Sequence, residues 1–353
     1  MDARHMCASL LRGALALACV TLVSLAAAAA PGRSSQTPPA REDNPSQAQS
    51  RALMRASDSV VGIHTSATED ASSSETLGRE RVGSGVVIGP DGLVLTIGYL
   101  ILEAEDIELV LDDGRRLPAR AVAYDLASGF GLVQPVVPLK LEPAPLGRAS
   151  ALTNEDALLV VSGGDGGALS VARLASRRPF SGYWEYHIDD ALFTSPPRTD
   201  HSGAGLFNSR GELVGIGSLI VMDAPGQGQR GAGNMFVPVD LLKPIMSELR
   251  ERGASSASRR AWMGANCVER EHQIRVVRVA PNGPAEAAGL QPGDVISRID
   301  GAEVGELSDL YHLLWAGASE RDVRLDILRD GQARSVMVHT MDRMQTLHRA
   351  RGI

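Results

Sequence analysis

The chain has little cysteine, no apolar run long enough to span a membrane comfortably, and no excess of positive charge. Three cysteines occur in 353 residues, and two of them, Cys7 and Cys19, lie in the N-terminal segment. Once that segment is removed Cys267 stands alone, which excludes an internal disulfide and a metal site of the Cys-rich type. The apolar run Gly13 to Leu25 (GALALACVTLVSL) is short against a bilayer core of ~30 Å. Arg4, His5 and Arg12 precede it and the small residues Ala26 to Ala30 follow, so residues 1–30 read as a secretory signal peptide. Lys and Arg total 35 against 42 Asp and Glu, a net charge of −7. That balance argues against nucleic acid or an anionic membrane surface as a partner. Apolar residues at 44% and charged residues at 22% exclude wholesale disorder, collagen and a polytopic membrane protein.

What the chain does have is turn formers, with 37 Gly and 19 Pro. These favour short strands and many loops. Pro31 to Ser50 carries no large apolar side chain, and 31–54 is assigned as a disordered linker. A first folded unit is expected over 55–253. Within it Val82 to Ile88, the turn Gly89 to Gly92, and Leu93 to Thr96 predict a hairpin. Ile107 to Leu111 and Arg116 to Ala123 predict another. Tyr124 to Val133, Ala157 to Ser162, Leu213 to Ile220 and Asn234 to Pro238 continue the series. Strands without alternating helices imply a sandwich or barrels. A helix is predicted over Val239 to Arg252, capped by Gly253. Residues 254–260 read as a polar linker, 261–343 as a second unit and 344–353 as a tail. In the second unit Ile274 to Val279, Val295 to Ile299, Val323 to Leu328 and Ser335 to Val338 predict strands, and Leu307 to Trp315 a helix.

The segment GSGVVIGPDGLVLT (Gly83 to Thr96), with DDGRRLPARAVAYD (Asp112 to Asp125), resembles the opening of trypsin-like HtrA/DegP proteases. HSGAGLFNSRGELVGIGSLI (His201 to Ile220) resembles that family's nucleophile segment, and NMFVPVDLLKPI (Asn234 to Ile245) its closing strand and helix. The resemblance implies a mainly β chymotrypsin-like double β-barrel with a cleft between the barrels. PNGPAEAAGLQPGDVISRIDG (Pro281 to Gly301) resembles the signature of a PDZ domain, an α+β unit. The family's carboxylate loop then falls on Trp262, Met263, Gly264 and Ala265. A Gly in an apolar-Gly-apolar turn lets successive backbone N–H groups converge on a terminal carboxylate, while the next strand pairs with the peptide.

Serine protease chemistry needs a hydroxyl, a base, an acid that orients the base, and donors for the oxyanion. By the resemblance Ser202 stands at the nucleophile position, followed by Gly203-Ala204-Gly205 where the family has Gly-Gly-Pro. The histidine position carries Tyr99, and a phenol with a pKa near ~10 is a poor base at neutral pH. The aspartate position, four residues after Asp125, carries Gly129, which cannot orient anything. The oxyanion-hole glycine is replaced by Asp200, whose charge is wrong beside a developing oxyanion. Other candidate bases are His201, adjacent to Ser202 but diverging from it, and the strand residues His187 and His64. Asp189 and Asp190 fall on opposite strand faces and read as structural. His272, His312, His339 and His348 carry no signal of chemistry.

Two functions follow from these residues. One is an exported, HtrA-like pseudoprotease of the bacterial periplasm that binds peptides or unfolded protein C-termini and serves in capture, scaffolding or regulation of envelope proteins. The other is a serine endopeptidase in which Ser202 uses a non-standard base. Neither calls for a cofactor or metal. Family relatives are often trimers, so a homo-trimer and a hetero-assembly with active relatives both remain open.

Overall fold

The computed structural model describes residues 45–348 apart from residues 155 and 227. The signal segment 1–30, most of the 31–54 linker and the end of the 344–353 tail lie outside the described residues. One correction falls at the start. The stretch assigned to a linker ends in a helix, α1 (Pro45–Asp58), which occupies 45–54 as well. Ala52, Leu53 and Ala56 pack inward from it, and the Ala52 backbone lies against the turn at Gly211. Small apolar residues at helical spacing sufficed, and a search for large ones missed them.

Twelve strands follow. The first six are β1 (Val60–Ala67), β2 (Glu80–Val87), β3 (Val94–Ile97), β4 (Ala104–Val110), β5 (Arg116–Tyr124) and β6 (Phe130–Pro135), with one helical turn, α2 (Ser74–Leu77), between β1 and β2. They close into an antiparallel barrel in the order β1-β2-β3-β6-β5-β4. The second barrel comprises β7 (Ala157–Val161), β8 (Leu169–Gly182), β9 (Tyr186–Ser195), β10 (Gly205–Phe207), β11 (Leu213–Val221) and β12 (Gly233–Pro238), ordered β10-β11-β12-β9-β8-β7. Strands β3 and β12 are buried at every position, Thr96 and Asn234 included. Phe130, Leu95 and Leu109 of the first barrel belong to one apolar cluster with Phe193, Ile216 and Met235 of the second. The barrels are thereby fixed face to face.

Sequence periodicity gave no warning of β8, because Arg173, Arg177 and Arg178 interrupt its apolar pattern. Its hairpin with β9 closes at the pair Gly182–Tyr186, leaving Tyr183, Trp184 and Glu185 as the tip. The strand expected from Tyr124 begins only at Phe130, since Asp125 to Gly129 form a turn. The helix expected over Val239 to Arg252 is two short 3-10 turns followed by α3 (Met246–Arg252). Pro244 has no N–H to give and disfavours the α conformation before it, which breaks the first half. Gly253 caps α3 in the left-handed conformation, φ 78°.

The C-terminal unit is α+β. Strands β13 (Ala261–Trp262), β14 (Ala265–Arg270), β15 (Gln273–Val279), β16 (Val295–Ile299), β17 (Ala302–Glu303), β18 (Asp322–Arg329), β19 (Gln332–His339) and β20 (Met341–Asp342) surround helices α4 (Pro284–Ala287) and α5 (Leu307–Trp315). The main sheet runs β14-β15-β16-β18-β19, while β13 pairs β20. Leu307, Leu310, Tyr311 and Leu314 line the buried face of α5 at helical spacing. The same helix packs against β8 and β9 of the second barrel.

Asp125 ties the segment between the units to the first barrel. Fully buried, its carboxylate accepts from the Ser128 N–H and hydroxyl (2.9 and 2.6 Å), the Ser255 N–H (2.9 Å) and the Ser258 hydroxyl (2.6 Å). Burial alone would raise its pKa, but these donors outweigh it and hold the carboxyl below its ordinary value. Stability from Asp125 is therefore present above about pH 4 and lost as pH falls through the lowered native value. Asp125→Ala, which strands four donors, should cost about 2–4 kcal/mol in denaturant unfolding. The variant's deficit should shrink in acid.

Candidate active site and peptide groove

Ser202 sits in the turn between β9 and β10. Gly203 takes φ 74°, and a side chain there would run into the Ser84 carbonyl, so the turn requires glycine. The Gly203 N–H donates to Gly217 O and the Ser84 N–H to Ser202 O, both at 2.8 Å. The serine is thus pinned from β11 on one side and β2 on the other.

Tyr99 follows β3 and reaches it. Its hydroxyl oxygen lies 2.8 Å from Ser202 Oγ and 2.8 Å from the Ser218 carbonyl oxygen. A phenol has one proton, and a carbonyl can only accept. With the Tyr99 proton on Ser218 O, the Ser202 hydroxyl is left to donate to the phenol oxygen. Burial pushes the Tyr99 phenol up to about 12, against a smaller opposing effect of the Ser202 hydrogen bond. At neutral pH it is uncharged and has no use for a second proton.

The position that the resemblance gives to the orienting acid, Gly129, has its space filled as well. Gly129 has φ 81°, and a Cβ placed on it would stand 2.7 Å from the Tyr186 hydroxyl oxygen. Tyr186 opens β9, is buried, and donates to the Ser128 carbonyl at 2.7 Å. Burial raises its phenol further still. Asp125, four residues earlier, spends its carboxylate on the serine cluster described above.

Asp200 turns its carboxylate toward Arg198, whose Nε donates at 2.9 Å, and toward the Ser162 hydroxyl. Burial would raise its pKa, but Arg198 and Ser162 hold it below the ordinary value, so the carboxylate is charged. His201 Nδ1 lies 3.1 Å from the Arg198 carbonyl, and burial lowers its pKa. His187 is engaged by the Ser181 hydroxyl (2.8 Å) and Asp189 (3.0 Å), with the His312 ring nearby on α5. His64 lies on β1 opposite Val82 and Glu108, and Asp190 faces Arg177 at 3.5 Å. Among the described residues Tyr99 is the hydrogen-bond partner of Ser202 Oγ, and no imidazole is.

In the C-terminal unit the loop from β13 to β14 forms an anion nest. Gly264 takes φ 78°, aligning the N–H groups of Met263, Gly264 and Ala265. All three donate to one carboxylate, that of Glu185 at the tip of the β8–β9 hairpin, at 3.1, 2.8 and 3.1 Å. The Cys267 N–H on β14 donates to the Tyr183 carbonyl at 3.0 Å. From α5 the Tyr311 hydroxyl donates to Gly182 O at 2.7 Å, and the Glu185 N–H donates back to that hydroxyl at 3.3 Å. Met263 is buried, while the Trp262 ring carries the Arg343 guanidinium 4.3 Å from its centre.

A model of the trypsin-like peptidase domain matches residues 83–216, and a PDZ domain model matches 261–340. The periplasmic serine endoprotease DegP of Salmonella typhimurium is 27% identical over 75% of this chain and 58% of its own length. A DegP-like relative from Hahella chejuensis is 28% identical over 73% of this chain and 56% of its own. The chain is HtrA-like. It spans a little over half the length of these relatives. The HtrA-type protease AlgW with a tripeptide superposes with a TM-score of 0.52 at 22% identity, over 85% of this chain and 97% of that one. A serine endoprotease from Yersinia pestis gives 0.51 at 22%, over 83% and 97%. These solved structures share the fold, a double barrel followed by a PDZ domain.

Measured against the HtrA pattern, the residues that sequence reading missed are Glu185, Tyr186 and Tyr311. The cluster Tyr183-Trp184-Glu185-Tyr186 was the available signal, since a carboxylate among aromatics between two strands is rarely idle surface. The double variant Tyr99→His/Gly129→Asp is expected to hydrolyse unfolded casein no faster than Ser202→Ala. Its new carboxylate would meet the Tyr186 hydroxyl. Turnover above that baseline would show that Tyr186 yields the space.

Proposed function

We propose that this HtrA-like chain is a periplasmic peptide-binding protein whose peptidase domain does not hydrolyse its ligands. The observation that carries the reading is the hydrogen bond at Ser202. Its neighbour is an uncharged phenol whose own proton is committed to the Ser218 carbonyl. General-base assistance contributes typically ~10²–10⁴-fold in rate, and a neutral phenol cannot supply it. Gly129 and the hairpin residue Tyr186 leave no carboxylate behind the base position. Peptide binding is supported by the PDZ match and by the nest at Met263 to Ala265, which already holds a carboxylate. Clients would be envelope proteins or peptides presenting a free carboxyl end, and assembly with active relatives would let such capture regulate them.

The names of the relatives, serine endoproteases, favour a second reading in which Ser202 is active through some other base. A serine-directed fluorophosphonate separates the two. No labelling, with casein left intact by both the natural chain and Ser202→Ala, is the expected result. Labelling at Ser202, with cleavage lost in Ser202→Ala, would overturn it. In the same preparation Gly264→Asp should abolish binding of peptides with a free carboxyl end. A side chain at φ 78° is strained, its Cβ would press on Trp262 at 3.1 Å, and the new charge repels the ligand.

A further inference from the structure

The nest, the edge of β14 and the inner face of α5 are the three surfaces that a peptide would use in this fold, and one hairpin tip touches all of them. Glu185 places its carboxylate on the Met263, Gly264 and Ala265 N–H groups. The Tyr183 carbonyl takes the Cys267 N–H of β14, and Gly182 and Glu185 bracket the Tyr311 hydroxyl of α5. Glu185 adopts φ 60°, the left-handed conformation with which a three-residue hairpin loop commonly ends. The residue is buried, 6% exposed. An ionisable group so placed is held by specific partners, because an unpaired buried carboxylate is costly.

We propose that Glu185 is an internal ligand of the PDZ groove, standing in for the terminal carboxylate of a peptide, and that a client with a free carboxyl end binds by displacing it. The inference rests on the peptide-binding reading above and adds its regulation. A tethered occupant acts at an effective concentration on the order of mM, so weak intrinsic affinity is enough to keep the groove filled. Apparent client affinity falls by the fraction of molecules in which the groove is empty. The ligand must therefore offer more than its carboxylate, and a β-strand backbone along β14 is the contact the short tip exploits least, with one hydrogen bond from Cys267.

The test uses the intact two-domain protein and two variants. Glu185→Ala removes the carboxylate, and Glu185→Gly removes it while also relieving the left-handed backbone, which guards against a folding defect. Hydrogen exchange at the Met263, Gly264 and Ala265 amides should accelerate at least tenfold in both. Unchanged protection overturns the docking. Fluorescein-labelled decapeptides, randomised at their last three positions and made as free acids and as amides, are then titrated by anisotropy. Free acids should bind both variants at least tenfold tighter than the natural chain, and amides should not. Equal affinity for natural chain and variants overturns the occlusion. Faster exchange without any peptide binding would sink the peptide-binding reading while leaving Glu185 as the occupant of the nest.

Discussion

The proton on Tyr99 decides what the barrel pair can do. A histidine in its place would offer a ring nitrogen able to take the serine proton and a second N–H to hold against a carboxylate. The phenol has neither, and its one hydrogen is drawn to the Ser218 carbonyl. Packing against the apolar core of the barrels makes matters firmer, because burial opposes the only form, phenolate, in which tyrosine is a strong base. The Gly203 turn, the pins from Ser84 and Gly217, and the close-fitting barrels all present Ser202 as a nucleophile would be presented. Ser202 is left donating its hydrogen to the oxygen of an uncharged phenol.

The β8–β9 hairpin joins this site to the groove. Two consecutive residues at the end of its tip serve two different domains. Glu185 goes to the PDZ nest and Tyr186 to the peptidase core. Burial pushes the Glu185 carboxyl up to about 7, against the opposing effect of the Met263, Ala265 and Gly264 N–H groups and, more weakly, of Arg343, which stacks on Trp262.

Much of this was legible in the sequence, for identifiable reasons. Strands β3, β6 and β16 announce themselves as apolar runs between turn residues. Helix α5 does so by its spacing, and the nest by one glycine between apolar neighbours. The roles expected for the positions of Tyr99, Gly129, Asp200 and Ser202 rest on family resemblance alone, since nothing in a lone Tyr or Gly speaks of a triad. Three features were hidden. Arginines broke the pattern of β8, small residues understated α1, and Pro244 cut a helix whose apolar spacing looked continuous. The pairing of Glu185 with residues about eighty positions later lay beyond reach, because it is a contact between folded units and leaves no periodic trace.

The phenol beside Gly129 also bears on any attempt to build a His-Asp pair beside Ser202. Installing an aspartate first meets an occupied space and a left-handed backbone. Removing the phenol first opens a buried void and unties the Ser128 carbonyl. Introducing an imidazole first gains a base with nothing to steady it. No single substitution at these positions therefore supplies both an imidazole and a carboxylate placed to orient it.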